Sequence, residues 1–328
     1  MRATRPCACA SILMLAVLVA SGCAGKQVEK ETTKLRFLLD WKPSVQFLGY
    51  YAALEKGFYR SESLDVVFGG INAPQDISDL PYKVETGEYD LGTGSTALAV
   101  AQAKGADIVS VASIYQYGPH VLFAKKSAGI STVRDFKGRT IADKGDSWRV
   151  LIDSLMRLEG LTIADAKLVP VSFDMTPFYE GKVEIWTGYL LNEVPQARLR
   201  GNDLVTFPLY EYGIINLGGS IYTSRKYLKT HEDRVLKFLR ASIKGWDWAV
   251  QNPAQAVDLF MKMFPEDTEG KEFLRASFAA SIPLIRPSGR KIGYIDVQEY
   301  DALLRNNYHS NTDGHGTDTL IRMIHEAK

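Results

Sequence analysis

The run "DWKPSVQFLGYY", Asp40 to Tyr51, sets an acid beside Trp41, Phe47 and Tyr50, where an ordinary strand-to-helix connection would carry small polar residues. Those three rings offer flat faces to a planar solute, each ring pair contributing about 0.5–1.5 kcal/mol beyond area burial. A second candidate is "GTGSTA". After a strand, Gly94, Ser95 and Thr96 would open a helix and present free backbone N–H groups and hydroxyls to a polar or anionic ligand atom; simple helix capping explains them equally well. The same six residues satisfy the G-x-G-x-x-G/A dinucleotide pattern, which also wants an acid at the end of the following strand. Here "ADIVSVASIYQY" has its one acid, Asp107, near the beginning, so the nucleotide reading is set aside.

Other chemistry has little foothold. The chain contains no G-x-S-x-G elbow, H-E-x-x-H pair, P-loop or Cys-His set, and its five His are scattered. "DGHGTD", with Asp313, His315 and Asp318, reads as a solvated loop before it reads as a metal site. A formal charge of +1 gives no support to nucleic-acid binding, which wants a strongly basic face. Cys7 and Cys9 precede Cys23 and no Cys follows it, so the body has no disulfide and no thiolate metal site.

The N-terminus has the charged, apolar and small-residue order of an export signal: Arg2 and Arg5, then "SILMLAVLVA", then "SGCAG". The apolar run is shorter than the about 20 residues a membrane span requires. Ala20-Ser21-Gly22-Cys23 resembles a bacterial lipobox, with Cys23 lipidated as the first mature residue and residues 23–34 as a flexible tether; a plain signal peptide is the alternative. A stable lipid anchor needs two or more acyl chains.

The elements that must position these residues alternate between short strands and longer helices, which argues for an α/β fold with parallel sheets and crossover helices. "KLRFLLDW" reads as the first strand, "GYYAALEKGFY" as a helix ending at Gly57, and "LDVVFGG" as the second strand. A strand over 89–91 leads to the Gly turn, a helix from Ser95 or Thr96 to Gly105, and a strand over 108–112. The scheme then repeats: a strand over 140–142, the loop "DKGDS", a helix to Glu159, and a strand over 167–171. A strand through Trp186 turns at Gly188, with helix resuming after Pro195. Thr230 with Asp233 reads as a capping-box start, and Asn252-Pro253 opens the next helix. Trp246 and Trp248 read as core and groove lining. Two similar units in succession suggest two similar lobes, and the loops after Leu39, Leu91, Ala142 and Ile185 all lie at carboxyl ends of strands, where open α/β sheets bind ligands.

"LDWKPSVQFLGYYAALEKGFYRSESLDV" resembles the family of substrate-binding proteins of bacterial ABC importers that also contains the fungal thiamine-pyrimidine synthases. "VETGEYDLGTGSTALAVAQAKG", "IWTGYLLNEVPQ", "LYEYGI" and "VLKFLRASIKGWDWAVQNPAQAVDLF" match in order, from Leu35 to about Pro265. The resemblance implies a two-lobed periplasmic-binding fold of type 2, with lobe one over 35–118 and 218–328, lobe two over 119–217, and the ligand between them. It implies a monomeric receptor for a small heteroaromatic solute, working with an ABC permease and its ATPase, held to the membrane through its lipid alone, and without a cofactor. In pyrimidine-binding relatives a carboxylate pairs with the ring's amino group, which makes Glu193 or Asp40 the candidate here. Tyr189 and Asn192 would add hydrogen bonds, and Tyr115, Gln116, Ser147 and Tyr212 would finish the cleft. The synthase branch uses a Lys-bound pyridoxal phosphate, an active-site His and a Cys-rich stretch; Phe47 stands where that His would be, so the enzyme is the alternative reading. Other branches bind sulfonates, nitrate or riboflavin.

Overall fold

The computed structural model describes Met1 and residues 32–70, 74–214, 218–267 and 269–327. Apart from Met1, the expected export signal, Cys23 and the tether up to residue 31 lie outside them. Residues 32–328 form one compact unit. No helix among the described residues is long and apolar enough to cross a membrane.

Among the described residues, ten strands build two five-stranded sheets. The first contains β1 (Thr33–Leu38), β2 (Leu64–Gly69), β3 (Leu91–Gly94), β4 (Ile108–Tyr115) and β10 (Gly218–Ser224), in the order β2-β1-β3-β10-β4. The second contains β5 (His120–Lys125), β6 (Thr140–Asp143), β7 (Lys167–Pro170), β8 (Ile185–Tyr189) and β9 (Leu204–Pro208), in the order β7-β6-β8-β5-β9. β1 runs parallel to β2 and β3, and β6 parallel to β7 and β8. In each sheet the antiparallel strand, β10 or β5, is the one that has just arrived from the other sheet. The two-lobed α/β fold is therefore built twice from one plan. Residues 116–119 carry the chain from β4 to β5, and the return follows β9; the two crossings lie side by side, with Tyr117 stacked on Tyr210 at 4.9 Å between ring centres.

Lobe one has the larger core. Leu35 and Phe37 of β1 meet the helix Leu48–Glu55, the helix Arg225–Gln251 and the C-terminal helices, with Trp246 fully buried edge-on to Tyr50. Gly49 is required for that contact, since a Cβ there would lie 2.0 Å from the Trp246 ring. Phe47 and Tyr50 are spent in this core. They were expected to stack on a ligand; instead the helix they open must bury one face on the sheet, and they fall on that face.

Several boundaries differ from the sequence reading. β3 starts at Leu91 because the Asp90 carboxylate is taken by the Arg36 side chain and backbone N–H, which holds the preceding residues in a turn. β8 continues through Gly188 to Tyr189, and helix resumes at Glu193, before Pro195, which sits in its first turn. The capping signal at Thr230 falls inside the long helix, at a kink where His231 leaves helical geometry; the true start is Ser224, whose hydroxyl accepts from the Tyr227 N–H. "DGHGTD" is not a solvated loop throughout. His315 is buried, the Gly314 and His315 N–H groups donate to Asp301, and the segment docks on Ser110 of β4. No group of His, Cys, Asp and Glu among the described residues is arranged to hold a metal ion.

Candidate functional site

The carboxyl ends of β1 and β3 place Asp40, Gly94 and Ser95 together. With Thr93, Tyr222 and the helix starting at Leu80 they line a recess of about 200 Å³, open to solvent. Asp40 follows β1 in a bend, half-buried, and its carboxylate is reached by its own backbone N–H but by no side chain among the described residues. The protein packed around it pushes its pKa up to about 7, against an ordinary 3.8, because burial disfavours the charged form. The Tyr222 hydroxyl, fully buried and lining the same recess, has no hydrogen-bond partner among the described residues. Ser95 stands at the start of the helix Thr96–Ala103 without using its side chain as a cap. Unpartnered buried polar groups are uncommon, and the Tyr222 hydroxyl shares its recess with the half-buried Asp40 carboxylate.

Lobe two supplies aromatic rings opposite. Tyr189, at the end of β8, is edge-on to His120 at 4.8 Å and lies 6.2 Å from Trp148. Burial raises the Tyr189 pKa, and the neighbouring Glu193 and Asp40 charges add to that. Burial lowers His120 to about 3, so its imidazole is neutral. Trp41 reaches across to Phe173 of lobe two at 6.4 Å between ring centres.

Glu193 is occupied. Its Oε1 accepts from Lys144 Nζ at 3.2 Å and its Oε2 from the Tyr189 N–H at 2.8 Å. Lys144 also donates to the Thr187 carbonyl, and its ammonium lies within 6 Å of the Trp148, Phe173 and Trp186 rings. Both side chains of this pair are 8% exposed. Gly188 makes room for the arrangement, since a Cβ there would lie 2.8 Å from the Glu193 carboxyl carbon. Arg149, on the same side, is bound to Asp143, whose pKa its guanidinium lowers.

The remaining expected residues are dispersed. Tyr115 donates its hydroxyl to the Gln46 carbonyl. Gln116 spends its amide on the carbonyls of Ser113 and Tyr294, bracing the chain where it leaves β4. Ser147 and Asn192 are exposed, each at the start of a helix. Thr96 lies in the first turn of its helix, half-buried. Tyr212 packs on the core of lobe two. Sequence reasoning passed over Lys144, Trp148, Phe173, His120 and Tyr222. Lys144 and Trp148 do lie in and just after "DKGDS", a loop marked by its place after a strand, but nothing in that loop announces a partner 49 residues away.

This geometry matches a known group of proteins. The model of the family described as "NMT1/THI5 like" matches residues 44–256. The chain belongs to that family. It is 31% identical over 234 residues to the riboflavin-binding protein RibY of Chloroflexus aurantiacus, a match covering 70% of this chain and 66% of that one. It is 25% identical over 260 residues to the formylaminopyrimidine-binding protein of Halalkalibacterium halodurans, covering 76% and 77%. Pyrimidine phosphate synthases of Saccharomyces cerevisiae are relatives too, at 25% identity. Among solved structures, the periplasmic aliphatic sulphonate binding protein SsuA of Escherichia coli superposes with a TM-score of 0.66 at 17% identity, covering 86% of this chain and 95% of that one. The fold is thus that of the periplasmic binding proteins, and the protein is a substrate-binding member of its family.

Proposed function

We propose that this protein is the extracytoplasmic receptor of an ABC importer, anchored through a lipidated Cys23, and that it captures a small heteroaromatic nutrient. A thiamine-pathway pyrimidine precursor and riboflavin are the two solutes that fit. The observation that carries this reading is Asp40: an acid packed into protein with no partner beyond its own backbone N–H, in a recess lined by Tyr222 and close enough to Tyr189 for its charge to act on that ring. Ionising such a group is costly until a donor arrives, and the ring N–H or amino group of a heteroaromatic solute supplies one. The recess, about 200 Å³ with the solvent space at its mouth counted in, does not enclose a whole ligand. It suits the polar edge of a ring whose body lies against Trp41, Tyr189 and Trp148. The names of the riboflavin-binding and formylaminopyrimidine-binding relatives support the same class of solute.

Sulfonates and nitrate fit less well. Either is an anion that wants cations around it, while Lys144 and Arg149, the cations beside the lobe-two rings, are already bound to carboxylates. The enzymatic reading, a thiamine-pyrimidine synthase, is disfavoured by Phe47, which stands in the core where that reading wants an imidazole at the cleft.

The test is to purify the protein, denature it, and record the absorbance and mass of whatever is released, followed by thermal shifts with pyrimidines, flavins, sulfonates and nitrate. Stabilisation by pyrimidines or flavins is expected. Stabilisation by sulfonates or nitrate alone overturns the proposal, and an absorption band of bound pyridoxal phosphate after incubation favours the enzyme.

A further inference from the structure

The segment Tyr189–Asn192 leaves lobe two, enters the core of lobe one at Leu191 and returns to lobe two. β8 before it and the helix Glu193–Leu199 after it belong to the second sheet's lobe, yet Leu191 is 7% exposed within the apolar core of lobe one, and Tyr189 and Leu190 pack against the same cluster. Ser277, buried on the lobe-one helix Lys271–Ile285, donates its hydroxyl to the Leu191 carbonyl. The lobes are thus tied here by an apolar side chain and a backbone acceptor together.

The base of this segment is rigid. Glu193 accepts the Tyr189 N–H with one carboxylate oxygen and Lys144 with the other, and three aromatic rings surround the lysine. We propose that 188–193 is a latch: a tongue clamped at its base by the positioning residues Lys144 and Glu193, whose tip, Leu191, plugs lobe one and holds the lobes closed. The contact between Trp41 and Phe173 is looser, since Phe173 remains 70% exposed. The two crossings at 116–119 and after β9 tie the lobes covalently and allow rotation; the tongue is a third tie that can release. Its release parts the lobes on either side of the Asp40 recess and its return brings them back onto a captured solute, so the closed fraction it sets scales the apparent affinity. The tongue has this role whichever solute occupies the cleft.

The test needs no ligand. In the full chain, Cys7, Cys9 and Cys23 are changed to Ser, and Tyr82→Cys in lobe one and Leu158→Cys in lobe two, both exposed positions, carry nitroxide labels for pulsed electron-spin distance measurement. The parent should give one short, narrow distribution. Leu191→Asp should move most molecules to longer distances, an about tenfold or greater change in the open-to-closed ratio, with Ser277→Ala and Lys144→Met giving partial shifts in the same direction. Circular dichroism establishes that each variant is folded. A folded Leu191→Asp protein with the parent's distribution overturns the proposal, as does a parent that is already open; if Leu191→Asp does not fold, an unchanged distribution in Ser277→Ala overturns it. These outcomes are separate from the solute screen, which reports on the cleft's chemistry alone.

Discussion

The cleft brings two carboxylates to opposing faces, Asp40 on lobe one and Glu193 on lobe two, and the chain treats them in opposite ways. Glu193 has a backbone N–H on one oxygen and a lysine on the other, with a glycine left beneath it to make space. Asp40 has no cation and no N–H but its own backbone's, and its pKa still rises to about 7 as a result of burial. A satisfied buried charge fixes the shape of what surrounds it, whereas an unsatisfied one is a demand on whatever enters. Under the proposed function, the difference gives scaffolding to lobe two's acid and recognition to lobe one's.

The sharpest way to break this comparison is Glu193→Gln. It leaves the Lys144 ammonium buried without its counter-charge, which costs about 3–5 kcal/mol when one partner of a buried pair is removed. A large drop in melting temperature is expected, with solute affinity changed much less at temperatures where the variant stays folded. Lost affinity with full thermal stability would instead make Glu193 the solute's partner.

Asp40→Asn should do the reverse. Hydrogen bonds to charged groups contribute about 1.5–3 kcal/mol, so calorimetry with the solute recovered from the protein should show affinity about ten- to hundredfold weaker. Without solute, the same change should flatten a pH dependence. Folding raises this pKa from 3.8 to about 7, so between those values the folded chain holds a proton that the unfolded chain has lost. Wild-type stability from this group therefore falls as the pH rises through that window, and melting curves of the variant should lack that slope.

Gly188→Ala places a methyl group against the Glu193 carboxyl and should cost about 1–3 kcal/mol, as overpacking does. It should disturb the solute's affinity only through the tongue, and chemical denaturation measures the loss. The smallest effect is expected from Trp41→Ala: about 0.5–1.5 kcal/mol of affinity, the contribution of one stacked ring. Unchanged binding in that variant would remove Trp41 from the recognition surface.

The sequence was legible where the information is local. Alternating strands and helices, the Gly turns after them, and Pro253 at the start of its helix each announce themselves within a few residues, and the loops at strand carboxyl ends located Asp40, Gly94 and Ser95 in one place. Pairings across the chain left no such trace. Glu193 and Asp40 look alike in sequence, and only the fold shows that Lys144 has reached one and that no side chain among the described residues has reached the other. Phe47 and Tyr50 misled for a related reason: aromatic content says that a segment wants to bury surface, without saying whether the burial is against a ligand or against Trp246. Thr230 had the right residues for a helix start, but Ser224, six residues earlier, already supplied one as the chain left β10, and the two helices fused across a kink.

The return strand β10 lies between β3 and β4, in the middle of the first sheet. Half of that sheet must therefore wait, with an open seam, until more than a hundred further residues have been delivered, while the second sheet is made of one uninterrupted stretch of chain. On a polypeptide threading out from its N-terminus, the later-encoded lobe is the one able to finish first, and amide protons in β5 to β9 should become protected from exchange before those of β1 to β4.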